Sequence, residues 1–181
     1  HGGITAEWLR NPPQQFLDCI DMIRMTGMVL CMHGEMPGEE TKDREERFLP
    51  FPMFLSMNFP KLKMVLEHIS SAKQVETIRF LQKSKCQVGA TITAHHLFLT
   101  MDDVIGDMLC PHNFCKPIAK WKADRAVLRH AAMGGEPCFF LGSDSAPHDV
   151  GKKESSCGCA GCFTAPVLVE SLIEVFEQFD K

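Results

Sequence analysis

The sequence lacks any apolar run near the roughly 18 residues that a membrane span requires, and no secretory signal pattern opens it. No membrane partner is therefore expected. An excess of one charge is missing too: 19 Lys and Arg stand against 23 Asp and Glu, a formal net charge of -4, and the charges are scattered. Without a basic patch the chain has no footprint for phosphates, so no nucleic acid is expected as a partner. No fixed-period repeat, low-complexity tract or linker divides the 181 residues, and with 45% of them hydrophobic they suffice for one domain with a core of its own. The first residue is His1 rather than Met, so an upstream segment is expected.

Cysteine, by contrast, is plentiful. The nine cysteines are an odd number without a secretory signal, which argues against a disulfide framework. Cys19, Cys31, Cys86 and Cys138 lie in or beside apolar segments and read as small buried thiols. With 11 methionines they point to a reduced interior and a cytosolic location.

The chain alternates helical and strand patterns. Pro13 suits a helix start, Phe16, Cys19, Ile20 and Ile23 share one face, and Gly27 ends the helix. Residues 28–32 form a wholly apolar run, expected to be a strand covered on both faces. After a charged segment at 42–47, residues 62–66 make the next strand, and Ser71 with Gln74 forms a capping box ahead of Val75, Ile78 and Leu81. Strands are expected again at 88–93 and 138–141, a helix at 121–132, and a last helix from about 166 to 179. Such alternation implies parallel pairing through crossovers. Periodicity leaves two architectures open, a doubly wound sheet and half of a (β/α)₈ barrel, since a whole barrel takes about 250 residues.

Three of these strands end in a group that can hold a metal. His33 closes the first, His68 the second, and Asp144 follows the fourth. In parallel α/β folds the carboxyl ends of the strands form the active face, which would gather the three; imidazole and carboxylate are good zinc ligands. A single strand-end histidine is more often a hydrogen-bonded structural residue, and it is the set of three that favours a metal site. His95 and His96 follow the third strand, and at least one of them reads as a loop or packing residue, while His112 and His130 carry no pattern; all four are weaker metal candidates. Residues 153–166, KESSCGCAGCFTAP, allow two further readings. Cys157, Cys159 and Cys162 could join His148 in a zinc knuckle, although paired C-x₂-C units are missing. A tight Gly-rich loop built on Gly158 and Gly161 is preferred, and an activated thiol pair has only Lys152 and Lys153 to support it.

The run GSDSAPH, followed by KESSCGCAGCF and AP, resembles the C-terminal signature of type II dihydroorotases. Weaker matches extend upstream in family order: HGE at 33–35, DRE at 43–45, EHI at 67–69, ATIT with HL at 90–97, and PH…C…PI at 111–118. The resemblance implies that residues 1–181 are a single partial domain, the C-terminal half (about strands 5–8) of a (β/α)₈ amidohydrolase barrel of the TIM type, with the N-terminal half absent. It implies a cytoplasmic, homodimeric, zinc-dependent hydrolase of pyrimidine biosynthesis that interconverts L-dihydroorotate and N-carbamoyl-L-aspartate, with two zinc ions per complete site.

By that resemblance His33 and His68 bind one zinc, and Asp144 binds the other. Asp144 also holds the attacking hydroxide, takes its proton and passes it to the departing ring nitrogen. His148 and the Ala160 backbone grip the substrate carboxylate, and Lys116 meets the ring through its backbone. The family's first-strand His-x-His pair and bridging carboxylated lysine are not in these residues, so the segment alone is expected to be catalytically incomplete. Another cyclic amidohydrolase, a zinc-stapled binding module and an inactive homologue are the competing readings.

Overall fold

The computed structural model describes residues 4–178. Helices α1 (Ala6–Arg10) and α2 (Gln14–Thr26) lead into strand β1 (Val29–His33). Pro13 stands at the N-cap of α2, and Gly27 ends it with φ 73°, a left-handed conformation that costs glycine no Cβ clash. Between β1 and β2 (Lys63–Glu67) lie α3 (Arg44–Phe48) and α4 (Pro50–Asn58), where the sequence had been read only as a charged segment and its continuation. Then come α5 (Ala72–Lys83), β3 (Val88–Ile92), α6 (Ala94–Phe98), α7 (Asp102–Ile105), α8 (Lys122–Met133) and β4 (Phe139–Leu141). Short α9 (Val150–Lys153) and α10 (Leu168–Glu177) complete the order. The expected last helix is present, but Phe179, assigned to it from the sequence, lies outside the described residues.

The strands pair in chain order, β1-β2-β3-β4, and every pairing is parallel. Each crossover carries helix, as parallel neighbours require. The capping box of α5 is complete: the Ser71 hydroxyl accepts from the Gln74 amide, and the Gln74 side chain returns to Ser71. Val75, Ile78 and Leu81 are then buried beneath β2 and β3, where Met64, Leu66, Ala90 and Ile92 meet them in one continuous core.

Side chains alternate along a strand, so the opposite face carries Cys31 and His33, Glu67, and Thr91. This places potential reactive groups on the side away from the helices.

Two expectations need correction. β1 is not covered on both faces: Val29, Cys31 and His33 share one face, and they are exposed because no layer packs over it among the described residues. For related reasons the thiols of Cys19 and Cys31 are exposed and that of Cys86 is half-buried; among these four only Cys138 is buried as expected. At the other edge Phe140 and Leu141 are open to solvent. Among the described residues the sheet is therefore bounded by two bare parallel edges, the condition expected of half a barrel.

Candidate active site at the strand ends

β1 and β2 run in register, so His33 pairs with Glu67 and His68 comes one residue past the sheet. The two imidazoles meet there: His33 Nδ1 lies 3.0 Å from His68 Nε2, and His33 Nε2 lies 2.9 Å from a Glu35 carboxylate oxygen. A chain of short contacts fixes the backbone beneath. The His68 amide donates to Thr91 Oγ1 at 2.6 Å, and the Thr91 hydroxyl donates to Glu67 at 2.6 Å. Gly142 crosses directly above, where a Cβ would stand 2.6 Å from Thr91 Cβ; only glycine lets the segment leading to Asp144 pass so close.

His68 has φ 41° and Asp144 φ 38°. Non-glycine residues adopt the left-handed region rarely, and strained backbone concentrates at functional sites. Two of the residues expected to hold metal share this feature.

His33, His68 and Asp144, with Cys31, Glu67 and Thr91, line one cavity of about 300 Å³. Burial and the neighbouring His33 hold the His68 imidazole below its ordinary pKa, while the Asp144 charge pulls the other way. Burial tends to raise the Glu35 carboxyl, but His33, Lys120 and Arg44 outweigh it and keep it below the usual range. Imidazoles beside carboxylates are a donor set that suits zinc, and His68 Nδ1 is buried without a hydrogen-bond partner. The side chains are gathered rather than closed around a point. Among the described residues the group whose donor atoms all lie within 4.8 Å of one another is a different one, His95, His96 and Cys115.

A second set of loops stands next to this cavity. Asp144 links the two: its charge acts on His68 and also on the Cys115 and Cys162 thiols. His148 Nε2 lies 3.1 Å from the Ala160 carbonyl, so these two expected substrate contacts do come together. Lys116 is exposed and joined to Pro117 by a cis peptide. The loop at 157–162 is pinned by Lys153, which is 3% exposed and donates to the carbonyls of Phe114 (3.1 Å), Cys159 (2.7 Å) and Gly161 (2.9 Å). Gly161 has φ 150°, and a Cβ there would lie 2.5 Å from the Ala146 carbonyl oxygen, so the close approach requires glycine. The three thiols do not face one point. The Cys157 and Cys159 sulfurs sit 3.6 Å apart on the outside, while Cys162 is buried and turned to the His112 carbonyl.

Sequence reasoning missed two buried cations. Lys153 had been read only as local positive charge. The other is Lys120, 2.7 Å from Glu45, the pair almost wholly removed from solvent. Ser70 joins them: its amide and hydroxyl both donate to Glu45, and Lys120 donates to its oxygen. Glu45 stands in the DRE run and Ser70 two residues past His68, but no local pattern reveals that they share a salt bridge with Lys120.

No protein-family model matches the chain. A dihydroorotase of Aromatoleum aromaticum is 42% identical over 162 residues, 88% of this chain and 46% of that protein. The crystal structure of the Saccharomyces cerevisiae dihydroorotase in complex with 5-fluoroorotic acid superposes with a TM-score of 0.88 at 38% identity, covering 98% of this chain and 51% of that one. An Arthrobacter aurescens L-hydantoinase (dihydropyrimidinase) superposes at a TM-score of 0.68 with 20% identity, over 83% of this chain and 38% of that one, a likeness of fold alone. The chain spans about half the length of the relatives it matches.

Proposed function

We propose, from the premise that this chain is homologous to the dihydroorotases over about half of their length, that it forms one side of the active site of a cyclic amide hydrolase. The reaction assigned is the reversible opening of L-dihydroorotate to N-carbamoyl-L-aspartate. The observation that carries this reading is the convergence of His33 and His68, 3.0 Å apart, with Asp144 on the wall of the same cavity. Neither a homodimer nor a cytoplasmic location follows from these residues; both belong to the proposal through the family.

His33, His68 and Asp144 are the residues that would hold zinc, which when bound polarises an amide carbonyl and lowers the pKa of a bound water toward about 7. The chain's own contribution is positional and acid–base. Glu35 and Thr91 hold the two histidines through the contacts described above. Asp144 accepts the proton of the attacking water and returns it to the ring nitrogen as the amide bond breaks. His148 and the Ala160 backbone orient the substrate carboxylate, and Lys116 meets the ring through its backbone. The runner-up, a zinc-stapled binding module using Cys157, Cys159 and Cys162, is disfavoured by the division of those thiols between surface and interior.

Dihydroorotate turnover by the complete enzyme, in which this chain is joined to the other half of the barrel, with metal content measured alongside, tests the assignment. Absence of turnover by a metal-loaded protein would overturn it. His148→Ala tests the substrate contact. Loss of a charge-assisted donor is worth about 1.5–3 kcal/mol, so kcat/KM should fall about tenfold or more. Unchanged kinetics would remove His148 from the site.

A further inference from the structure

We infer a second metal site outside the strand-end cavity, in which His95, His96 and Cys115 hold a thiophilic divalent cation of the zinc class. It shares no residue with the proposed catalytic set and does not depend on the reaction assigned above. One donor atom from each residue lies within 4.8 Å of the other two, and all three side chains are buried. His95 is 4% exposed, yet neither of its ring nitrogens has a hydrogen-bond partner. A buried polar group without a partner is costly, and a histidine with two such atoms is the kind of exception that calls for a ligand. Burial holds its pKa down to about 4, so it presents a lone pair at neutral pH.

The fold brings these groups together for a local reason. His95 and His96 occupy the first turn of α6, directly after β3, with Thr93 capping that turn. Cys115 is supplied by a separate loop, next to the cis Lys116–Pro117 peptide. The Pro117 carbonyl accepts from His96 Nε2 at 2.9 Å and from the Cys115 thiol at 3.2 Å, and the two donors are 3.7 Å apart. A tetrahedral zinc places nitrogen at about 2.0–2.1 Å and sulfur at about 2.3 Å, so its ligands stand roughly 3.3–3.8 Å from one another. The separations seen, at most 4.8 Å, need adjustments of up to about 1.5 Å to reach this.

Binding is balanced as follows. The Cys115 thiol releases its proton to solvent and the thiolate takes the cation. His96 moves its proton from Nε2 to Nδ1, which now donates to Thr93 Oγ1, 2.8 Å away, and Nε2 becomes a ligand. His95 adds its free lone pair. The fourth position opens toward the cavity of about 390 Å³ that His95 lines, where water can complete the shell.

Cobalt(II) loading of the purified full chain tests this, because a cobalt–thiolate bond gives a near-ultraviolet charge-transfer band that imidazole and carboxylate ligands do not. Wild type should show the band, and Cys115→Ser should abolish it. His95→Ala should bind about one metal equivalent fewer than wild type. Cys31→Ser controls for the thiol beside His33, and the Cys157→Ser/Cys159→Ser pair for the surface thiols; all should retain the band. A band that survives Cys115→Ser, or that disappears with Cys31 or the surface pair instead, overturns the site. So does metal content unchanged in both Cys115→Ser and His95→Ala. Should Cys115→Ser not fold, His95→Gln reads the same metal content with the Cys115 loop intact. Loss of dihydroorotate turnover with the band retained would count against the proposed function and not against this site.

Discussion

Asp144→Asn is expected to lower kcat for dihydroorotate opening by about 10²–10⁴-fold or more, with KM moving far less. Asparagine keeps the shape of the side chain and tolerates the left-handed backbone that Asp144 adopts, so the loop should survive the change. What is lost is a carboxylate that can take a proton from the attacking water and deliver it to the leaving nitrogen. An effect confined to kcat is the signature of a group that acts in the transition state, whereas a rise in KM alone would mark a binding residue. Steady-state kinetics in both directions on the complete enzyme, with metal content measured on the same samples, read the difference. Near-normal kcat with metal content intact would assign the proton transfer to another group and would leave the His33–His68 reading standing.

Lys120→Met should be the most destabilising of the substitutions considered. Lys120 and Glu45 are 4% and 0% exposed, and removing one member of a buried pair leaves the other charge uncompensated, a loss of about 3–5 kcal/mol. For a chain of this size that corresponds to about 6–20 °C in Tm. The pH dependence supplies a sharper check. Burial already raises the Glu45 carboxyl above its ordinary value despite Lys120 and Ser70, and without the lysine it rises further. A carboxyl raised in the folded state binds its proton more tightly there than in the unfolded chain. The stability it contributes is complete below the unfolded pKa and is lost as pH rises through the folded one. Lys120→Met should therefore be least impaired in mild acid and progressively worse toward neutral pH. Adding Glu45→Gln should recover much of the loss and flatten the profile. A Lys120→Met protein as stable as wild type at neutral pH would mean that the pair is solvated in solution.

The parts of this molecule legible in its sequence are those written in short-range patterns. Apolar runs marked all four strands to within a residue or two, and Ser71 with Gln74 marked the start of α5. Because parallel strands present their carboxyl ends together, the strand pattern alone assigns His33, His68 and Asp144 to one end of the sheet. The tertiary partners were not legible. Glu45, Ser70 and Lys120 come from three separated segments, and nothing near Lys120 sets it apart from a surface lysine. The Cys19 and Cys31 thiols were misjudged because an apolar neighbourhood in sequence does not say whether another layer packs over that face of the helix or strand. His95 and His96 looked like packing residues for a similar reason: the cysteine that faces them is about twenty positions away.

Lys153 has one more consequence, for motion. Its ammonium is shared by carbonyls of residues 114, 159 and 161, and the Gly161 amide donates back to the Phe114 carbonyl at 2.8 Å. Separating the two loops would cost both the Lys153 ammonium and the Gly161 amide their Phe114 carbonyl acceptor, so neither loop has a cheap independent excursion. The segments that carry Lys116 and Ala160 thus form one cooperative unit of local unfolding, and amide protons in both are governed by the same opening event. Hydrogen exchange is therefore expected to report the two loops opening together, at the cost of the Lys153 contacts.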